Sequence, residues 1–165
     1  MWYFAYGSNL DPERFRERVG DFSARRRAIL HNHALRFSGE VTSEGGGGAI
    51  IESSPGSRVY GGVYLLERAQ LEKMDEIELG PDNDPAQRAA RHTVALDCRG
   101  QALYAEVYVV PAPEVYRAPS PRYLQHIIEG LRWFGYDDSV VEQVQAVAAR
   151  EPGQRQPVPG GAIPE

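Results

Sequence analysis

Residues 4–10 read FAYGSNL, a stretch in which an apolar segment leads directly into a short polar turn with a glycine. Residues 2–5, WYFA, predict a short strand because they are bulky and apolar. Asp11 and Pro12 predict a helix start, since Asp caps free N–H groups and Pro fits the first helical position. A strand and a helix therefore hold the turn at its two ends.

The turn itself is predicted to bind an anion. Gly7 lets the backbone come close to a ligand, and Ser8, Asn9 and Leu10 can present N–H groups above the helix N-terminus. A carboxylate or a developing oxyanion would suit such a loop. A Gly-Ser-Asn turn before a helix is also found as a simple capped connection, so the stretch by itself leaves both interpretations open.

The composition predicts one globular domain. The chain has 165 residues, of which 42% are hydrophobic and 25% charged. We expect the domain over residues 1–150 and a Pro- and Gly-rich tail with little regular structure over 151–165. The net charge of −5 argues against nucleic acid as a partner. Without a signal segment or an apolar run of about 20 residues, we expect a cytoplasmic protein that does not bind membranes.

The hydrophobic pattern predicts an α+β fold rather than regular βαβ winding. Predicted strands span residues 2–5, 28–38, 49–52, 59–65, 91–98 and 102–110. Predicted helices span residues 12–19, 68–77 and 121–135, and a fourth begins at Ser139, whose spacing to Glu142 is that of a capping box.

Three short segments interrupt this pattern. The arginines at 25–27 predict a solvated edge between a helix and a strand. The glycines at 45–48 predict a mobile hairpin tip, because the run lacks the Lys-Ser/Thr ending of a phosphate-binding loop. Gly61 and Gly62, inside a good strand, predict a bulge or a close backbone approach.

The acidic residues 75–78, DEIE, contain a candidate proton shuttle. Leu71 and Met74 mark the buried face of the predicted helix, and Glu78 follows Met74 by four residues, so it points to the interior if the helix continues. A carboxylate held there can take and return a proton, whereas Glu76 should point to solvent. The alternative is a solvated helix end, although negative charge there opposes the helix macrodipole.

Other constellations are weaker. Ser8 beside one of the four histidines would imitate a hydrolase pair, but the sequence has no G-x-S-x-G elbow. His31 and His33 share a strand face by their spacing, yet no third ligand follows at a recognisable metal spacing. We therefore predict neither a nucleophilic serine nor a metal.

Four segments resemble the gamma-glutamylcyclotransferase family in the same order and at suitable spacing. They are YGSNL at 6–10, SPG at 54–56, MDEIE at 74–78 and PSPRY at 119–123. The resemblance covers roughly residues 2–150 and is strongest when the four segments are taken together. It implies a small mixed β-barrel, or a strongly curved sheet, with helices packed outside.

The resemblance also implies the site. The second glutamate of the Asp-Glu-x-Glu segment, Glu78, corresponds to the general acid–base of the family. The implied substrate-binding residues are Tyr6, Gly7, Ser8, Asn9, Leu10 and Tyr123. Residues 7–10 would supply backbone N–H groups, Tyr123 its hydroxyl, and Tyr6 would pack or hydrogen-bond at the base of the loop.

The implied reaction is intramolecular. The α-amine of a γ-glutamyl compound attacks its own γ-carbonyl, which closes 5-oxoproline and releases an amine without a cofactor. The implied partner is thus a small γ-glutamyl substrate, bound by a monomer or homodimer. A non-catalytic metabolite-binding module on the same fold is the alternative.

The sequence departs from the family pattern after Glu78. Residues 79–85 read LGPDNDP and predict an acidic, proline-containing loop at the pocket rim, where the leaving amine would bind. This departure leaves open a register in which Glu76 is the base.

Overall fold

The computed structural model describes residues 1–80, 89–111 and 115–150, without the side chains of 39–41. In these ranges the strands are β1 (Trp2–Ala5), β2 (Ala24–Val41), β3 (Gly47–Leu65), β4 (Ala90–Cys98) and β5 (Gln101–Val109). The helices are α1 (Pro12–Val19), α2 (Arg68–Leu79), α3 (Pro121–Trp133) and α4 (Asp138–Ala148). A 3-10 turn over Ser8–Leu10 links β1 to α1. The tail and the loop at 81–85 lie outside the described residues.

The five strands form a closed barrel in the order β1-β3-β2-β4-β5. β1 pairs antiparallel with β3 and parallel with β5, where Tyr3 lies opposite Glu106. β2 and β4 pair antiparallel at Ile29 and Asp97, on the other side of the barrel. The predicted α+β fold with a small mixed barrel is therefore confirmed.

β3 replaces two predicted strands, 49–52 and 59–65, with one strand of 19 residues. A bulge in β3 makes this possible: His31 pairs with Arg58 and His33 with Ser53, so the four residues 54–57 of β3 face Asn32 alone. Asn32 has a φ of 57°, and its Oδ1 accepts a hydrogen bond from Gly56 N at 3.1 Å. Residues 54–57 therefore remain part of β3. The register shift falls between His31 and His33, so their spacing of two does not by itself place both side chains on one face of the strand.

β2 also begins four residues earlier than predicted, at Ala24. The predicted edge at residues 25–27 is wrong in this respect, because these arginines belong to the strand. The Arg25 guanidinium lies 3.7 Å from the Trp133 ring centroid, and that of Arg27 lies 5.2 Å from the Tyr136 ring. Such cation–π stacking holds each guanidinium group against an aromatic ring.

Gly61 and Gly62 lie where backbone and rings come close together, as their position predicted. A Cβ on Gly62 would overlap the Phe134 ring, and one on Gly61 would overlap Ala5 O. Gly62 lets the end of α3 pack against the barrel wall, and Gly61 leaves room for β1.

The cap predicted for α1 is confirmed, whereas the cap predicted for α4 is not. Asp11 accepts a hydrogen bond from Glu13 N at 2.9 Å, as predicted for the start of α1. The predicted Ser139 cap of α4 is wrong, because Asp137 accepts bonds from Ser139 N at 3.1 Å and Val140 N at 3.4 Å. Asp137 is the better acceptor here because it precedes the first free N–H groups of the helix. None of the helices in the described ranges is long and apolar enough to cross a membrane.

Candidate active site

A pocket of about 380 Å³ opens where the turn between β1 and α1 meets the C-terminal end of α2. Gly7, Ser8 and Asn9 from the turn line it, as do Tyr123 from α3 and Glu78 from α2. These residues are far apart in the sequence, and the barrel and α3 bring them together. Together with Tyr6, which also lines the cavity, these residues are six of the seven predicted for the site.

Two backbone N–H groups form hydrogen bonds inside the turn. Leu10 N donates to Gly7 O at 3.0 Å, and Asp11 N donates to Ser8 O at 3.2 Å. The Leu10 side chain is fully buried in the core. The prediction that Leu10 offers its N–H to a ligand is therefore wrong, because a 3-10 turn uses the N–H three residues after its first carbonyl.

Tyr64, on β3, holds the turn from below. Its hydroxyl donates to Asn9 O and to Leu10 O, both at 3.1 Å. Burial raises the pKa of Tyr64 far above its ordinary value, so the hydroxyl stays a donor. Two carbonyls of the turn thus depend on one buried side chain.

Replacing Tyr64 by Phe is expected to lower the free energy of unfolding by about 1–3 kcal/mol, because it removes the donor to two backbone carbonyls next to the core. Urea denaturation checks this value. Tyr104, which is 70% exposed, provides the matched control, and its change to Phe should cost less than about 0.5 kcal/mol. Equal effects at both positions would contradict a supporting role for Tyr64.

Glu78 lies in the last turn of α2, on the side that helical phase predicted. Leu71 and Met74 are buried and Glu76 is exposed, so the alternative base points away from the pocket. Glu78 Oε1 lies 3.4 Å from Asn9 Nδ2 and 3.5 Å from Arg18 Nη2. The carboxylate thus faces the turn and a cation.

Asn9 connects the groups around Glu78 through its side chain, a role that the sequence did not indicate. Its Oδ1 accepts a hydrogen bond from Arg18 Nη1 at 2.5 Å, and its Nδ2 donates to Tyr3 Oη at 3.0 Å. Because both ends of the amide are bonded, its orientation is determined. Asn9 therefore presents an N–H group to Glu78.

Buried tyrosines supply neutral hydroxyls to the pocket. Burial raises the pKa values of Tyr3, Tyr6 and Tyr123, so all three remain protonated. Tyr6 donates to Tyr108 O at 2.8 Å at the base of the loop. The Tyr123 hydroxyl accepts from Ala49 N at 3.1 Å and also bonds Ser8.

Gly7 passes close to the Tyr123 hydroxyl. A Cβ on Gly7 would lie 3.1 Å from Tyr123 Oη and 3.3 Å from the Ala49 Cβ, tighter than an ordinary contact. The glycine therefore lets the turn approach α3 and β3. The sequence predicted that Gly7 lets the backbone approach a ligand; the group approached here is a side chain of the protein.

Two arginines on α1 were missed. Arg14 and Arg18 both line the pocket, one helical turn apart. Arg14 Nε donates to Ser8 Oγ at 3.1 Å, and Arg18 pairs with Glu78 as described. Their spacing of four, on the helix that directly follows the turn, was the available signal.

The hydrolase alternative finds no support in these contacts. Ser8 Oγ accepts its bond from Arg14, while His126 Nδ1 lies 2.7 Å from Asp11 Oδ2 and His126 Nε2 lies 3.2 Å from Glu44 Oε1. Both nitrogens of this imidazole are thus directed to carboxylates instead of the serine. Within the described ranges, no group of three or more His, Cys, Asp or Glu side chains could hold a metal ion.

The protein is thus a closed five-stranded barrel in which a glycine-bearing turn faces a glutamate on α2. The family model described as gamma-glutamyl cyclotransferase, AIG2-like, matches residues 3–133. The chain belongs to this family, as the four segments of its sequence predicted.

Individual relatives agree with this assignment. A mouse protein named gamma-glutamylcyclotransferase is 29% identical over 158 residues, which is 90% of this chain and 79% of the mouse chain. A solved structure named gamma-glutamyl cyclotransferase superposes with a TM-score of 0.78 at 28% identity, over 88% of this chain and 86% of that one. The structure of a human protein, described as uncharacterized protein loc79017, gives a TM-score of 0.74 at 28% identity, over 94% and 90%.

Proposed function

We propose that the protein is a γ-glutamylcyclotransferase-type enzyme, which converts a γ-glutamyl amine or γ-glutamyl amino acid into 5-oxoproline and the free amine or amino acid. The observation that carries the proposal is Glu78 Oε1 beside Asn9 and Arg18 in the pocket. Family membership and the name of the mouse relative support it. The implied reaction needs no bound cofactor.

Proton transfer is the first task of the site. The α-ammonium of the substrate gives a proton to Glu78, and the freed amine attacks the γ-carbonyl carbon. A C–N bond forms, the carbonyl oxygen becomes an oxyanion, and the bond to the leaving nitrogen then breaks. Glu78 returns its proton to that nitrogen as the bond breaks. The ring nitrogen, which still carries two protons, then gives one through Glu78 to the released amine, so 5-oxoproline and an ammonium leave and the carboxylate is regenerated. Such a shuttle contributes about 10²- to 10⁴-fold to a rate.

Charge complementarity orients the glutamyl group. Its α-ammonium and α-carboxylate share one carbon, so binding the ammonium at Glu78 brings the carboxylate within reach of Arg18, whose Nη2 lies 3.5 Å from Glu78 Oε1. A guanidinium binds a carboxylate well because its donors match the two oxygens. Arg18 is therefore our candidate for the α-carboxylate.

The oxyanion requires donors that are already in position. Leu10 N and Asp11 N are used inside the turn and Ser8 N is directed to the Tyr123 hydroxyl oxygen, so Asn9 N and the Tyr123 O–H are the candidate donors. Removing one donor from an oxyanion hole commonly costs about 10²- to 10³-fold in rate. Because the turn is held by Tyr64, these donors need little rearrangement during the reaction.

Incubation with γ-glutamyl amino acids and γ-glutamyl amines is expected to release 5-oxoproline and amine in equal amounts, which mass spectrometry measures. The matched β-aspartyl compounds should not react, because the same attack would close a four-membered ring. Binding is followed in parallel by calorimetry. If γ-glutamyl compounds bind without turnover, the chain is a metabolite-binding module; if none binds, the pocket is not a γ-glutamyl site.

A further inference from the structure

Glu44 is a buried carboxylate that the proposed reaction does not use. It lies in the connection between β2 and β3, and its side chain is only 9% exposed. Its Oε1 accepts from Arg14 Nη1 at 2.6 Å and lies 3.2 Å from His126 Nε2. One oxygen therefore joins α1, α3 and the β2–β3 connection.

The contacts of Glu44 continue to both ends of the turn. On one side, Arg14 Nε donates to Ser8 Oγ at 3.1 Å. On the other side, His126 Nδ1 lies 2.7 Å from Asp11 Oδ2, and Asp11 caps α1 directly after the turn. Glu44 is thus connected to Ser8 through Arg14 and to Asp11 through His126.

The connection itself forms part of the pocket wall. Thr42 and Ser43, the two residues before Glu44, line the cavity together with Arg14. Backbone bonds shape this segment: Thr42 N donates to Gly46 O at 2.9 Å, and Gly47 N donates to Ala118 O at 2.9 Å. Glu44 is the residue whose side chain ties it to α1 and α3.

Burying the Glu44 carboxylate costs free energy, because a charged group loses its hydration. Its Oε2 is buried and has no hydrogen-bonding partner among the described residues. A buried charge or unpaired polar atom is unfavourable, and the neighbouring cations offset this only in part. Besides Arg14, Arg122 Nε lies 3.8 Å from Oε1. An exposed glutamate would form weaker ion pairs but would keep its hydration. The buried position of Glu44 therefore indicates that its contacts fix the arrangement of the groups around it.

We propose that Glu44 is a positioning residue for substrate binding, and this proposal rests on the proposed function. Glu44 fixes the Arg14 guanidinium that holds Ser8 Oγ, and it fixes Thr42 and Ser43 in the pocket wall. It touches neither the reacting atoms nor Glu78. Its loss should therefore weaken substrate binding and leave proton transfer largely intact.

The test is Glu44→Gln, which keeps the size of the side chain and removes its charge. We expect KM to rise about tenfold, with kcat within about threefold of the unchanged protein. A side chain that only supports the fold would not produce this split between KM and kcat. An unchanged KM, or a fall in kcat alone, would overturn the proposal.

Glu52→Gln is the matched control. Glu52 accepts from the Tyr116 hydroxyl at 3.1 Å, lies 3.9 Å from Arg36 and is 21% exposed, so it is another partly buried glutamate in ionic contact. It belongs to β3 outside the pocket wall. KM and kcat should both stay unchanged in this variant.

A second readout does not depend on turnover. Amide hydrogen exchange at Thr42, Gly47 and Ser8 should become faster in Glu44→Gln and stay unchanged in Glu52→Gln. If no γ-glutamyl compound reacts with the unchanged protein, the proposed function fails, while faster exchange would still show that Glu44 orders the pocket wall. Unchanged exchange would overturn the positioning role in either case.

Arg14→Lys covers the possibility that Glu44→Gln does not fold. Lysine keeps the charge beside Glu44, but a single ammonium cannot reproduce the fork that binds Glu44 and Ser8 together. We expect the same rise in KM with a small effect on kcat. A variant that binds substrate normally would show that Ser8 does not depend on this chain of contacts.

Discussion

Replacing Glu78 by Gln is expected to lower the rate of 5-oxoproline release by about 10²- to 10⁴-fold, because the amide cannot take a proton from the substrate α-ammonium. Gln retains the length of the side chain and one oxygen for Asn9 Nδ2, which lies 3.4 Å from Glu78 Oε1. Steady-state rates measure the loss. The effect should lie in kcat much more than in KM, since the proton is transferred only in the reaction.

Glu76→Gln is the matched control for this change. Glu76 is exposed and lies two residues earlier on α2, so it loses the same charge from the same helix without changing the pocket. We expect a rate within about twofold of the unchanged protein. A large loss at Glu76 with activity retained at Glu78 would instead assign the base to Glu76, the register that the loop after Glu78 left open.

Replacing Gly130 by Ala is expected to reduce the free energy of unfolding by about 1–3 kcal/mol. Gly130 is in α3, and a Cβ there would overlap the Leu10 backbone. In a helix, Ala normally stabilises by about 1 kcal/mol relative to Gly, so a net loss would measure the steric contact. Thermal and urea denaturation give the change, and the displaced turn should also lose affinity for γ-glutamyl compounds.

Gly48→Ala separates this contact from a general effect of losing a glycine. A Cβ on Gly48 would meet only Thr42 Cγ2 at 3.5 Å, an ordinary van der Waals distance. We expect stability to stay the same or to rise by less than about 1 kcal/mol, because Ala restricts the unfolded chain. If Gly130→Ala were equally harmless, α3 would have to move freely relative to the turn.

Local signals explain how much of the candidate site could be predicted. Residues 2–20 contain a strand, a turn, the Asp11 cap and a glycine stop, and each depends on neighbours within a few residues. The direction of Glu78 followed from helical phase relative to Leu71 and Met74, which also depends only on local spacing. For the same reason Glu76 was correctly expected at the surface.

Strand lengths were predicted less well, because the decision depends on the partner strand. Pro55 and Gly56 fall between two predicted strands, yet they lie inside β3, in the bulge opposite Asn32. Similarly, the arginine run before Ala28 read as a surface edge, whereas pairing with β3 extends β2 back to Ala24. Pairing supplies hydrogen bonds that single-strand propensity does not reveal.

The sequence by itself determined the family, the class of fold, the turn between the first strand and the first helix, and the direction of Glu78. Only the tertiary structure showed that Arg18, 60 residues away, pairs with Glu78, and that the N–H of Leu10 is used inside the turn. It also joined Glu44 to His126, 82 residues later in the chain. Spacing along a chain specifies a face of a helix or strand, while barrel closure and helix packing decide which faces meet.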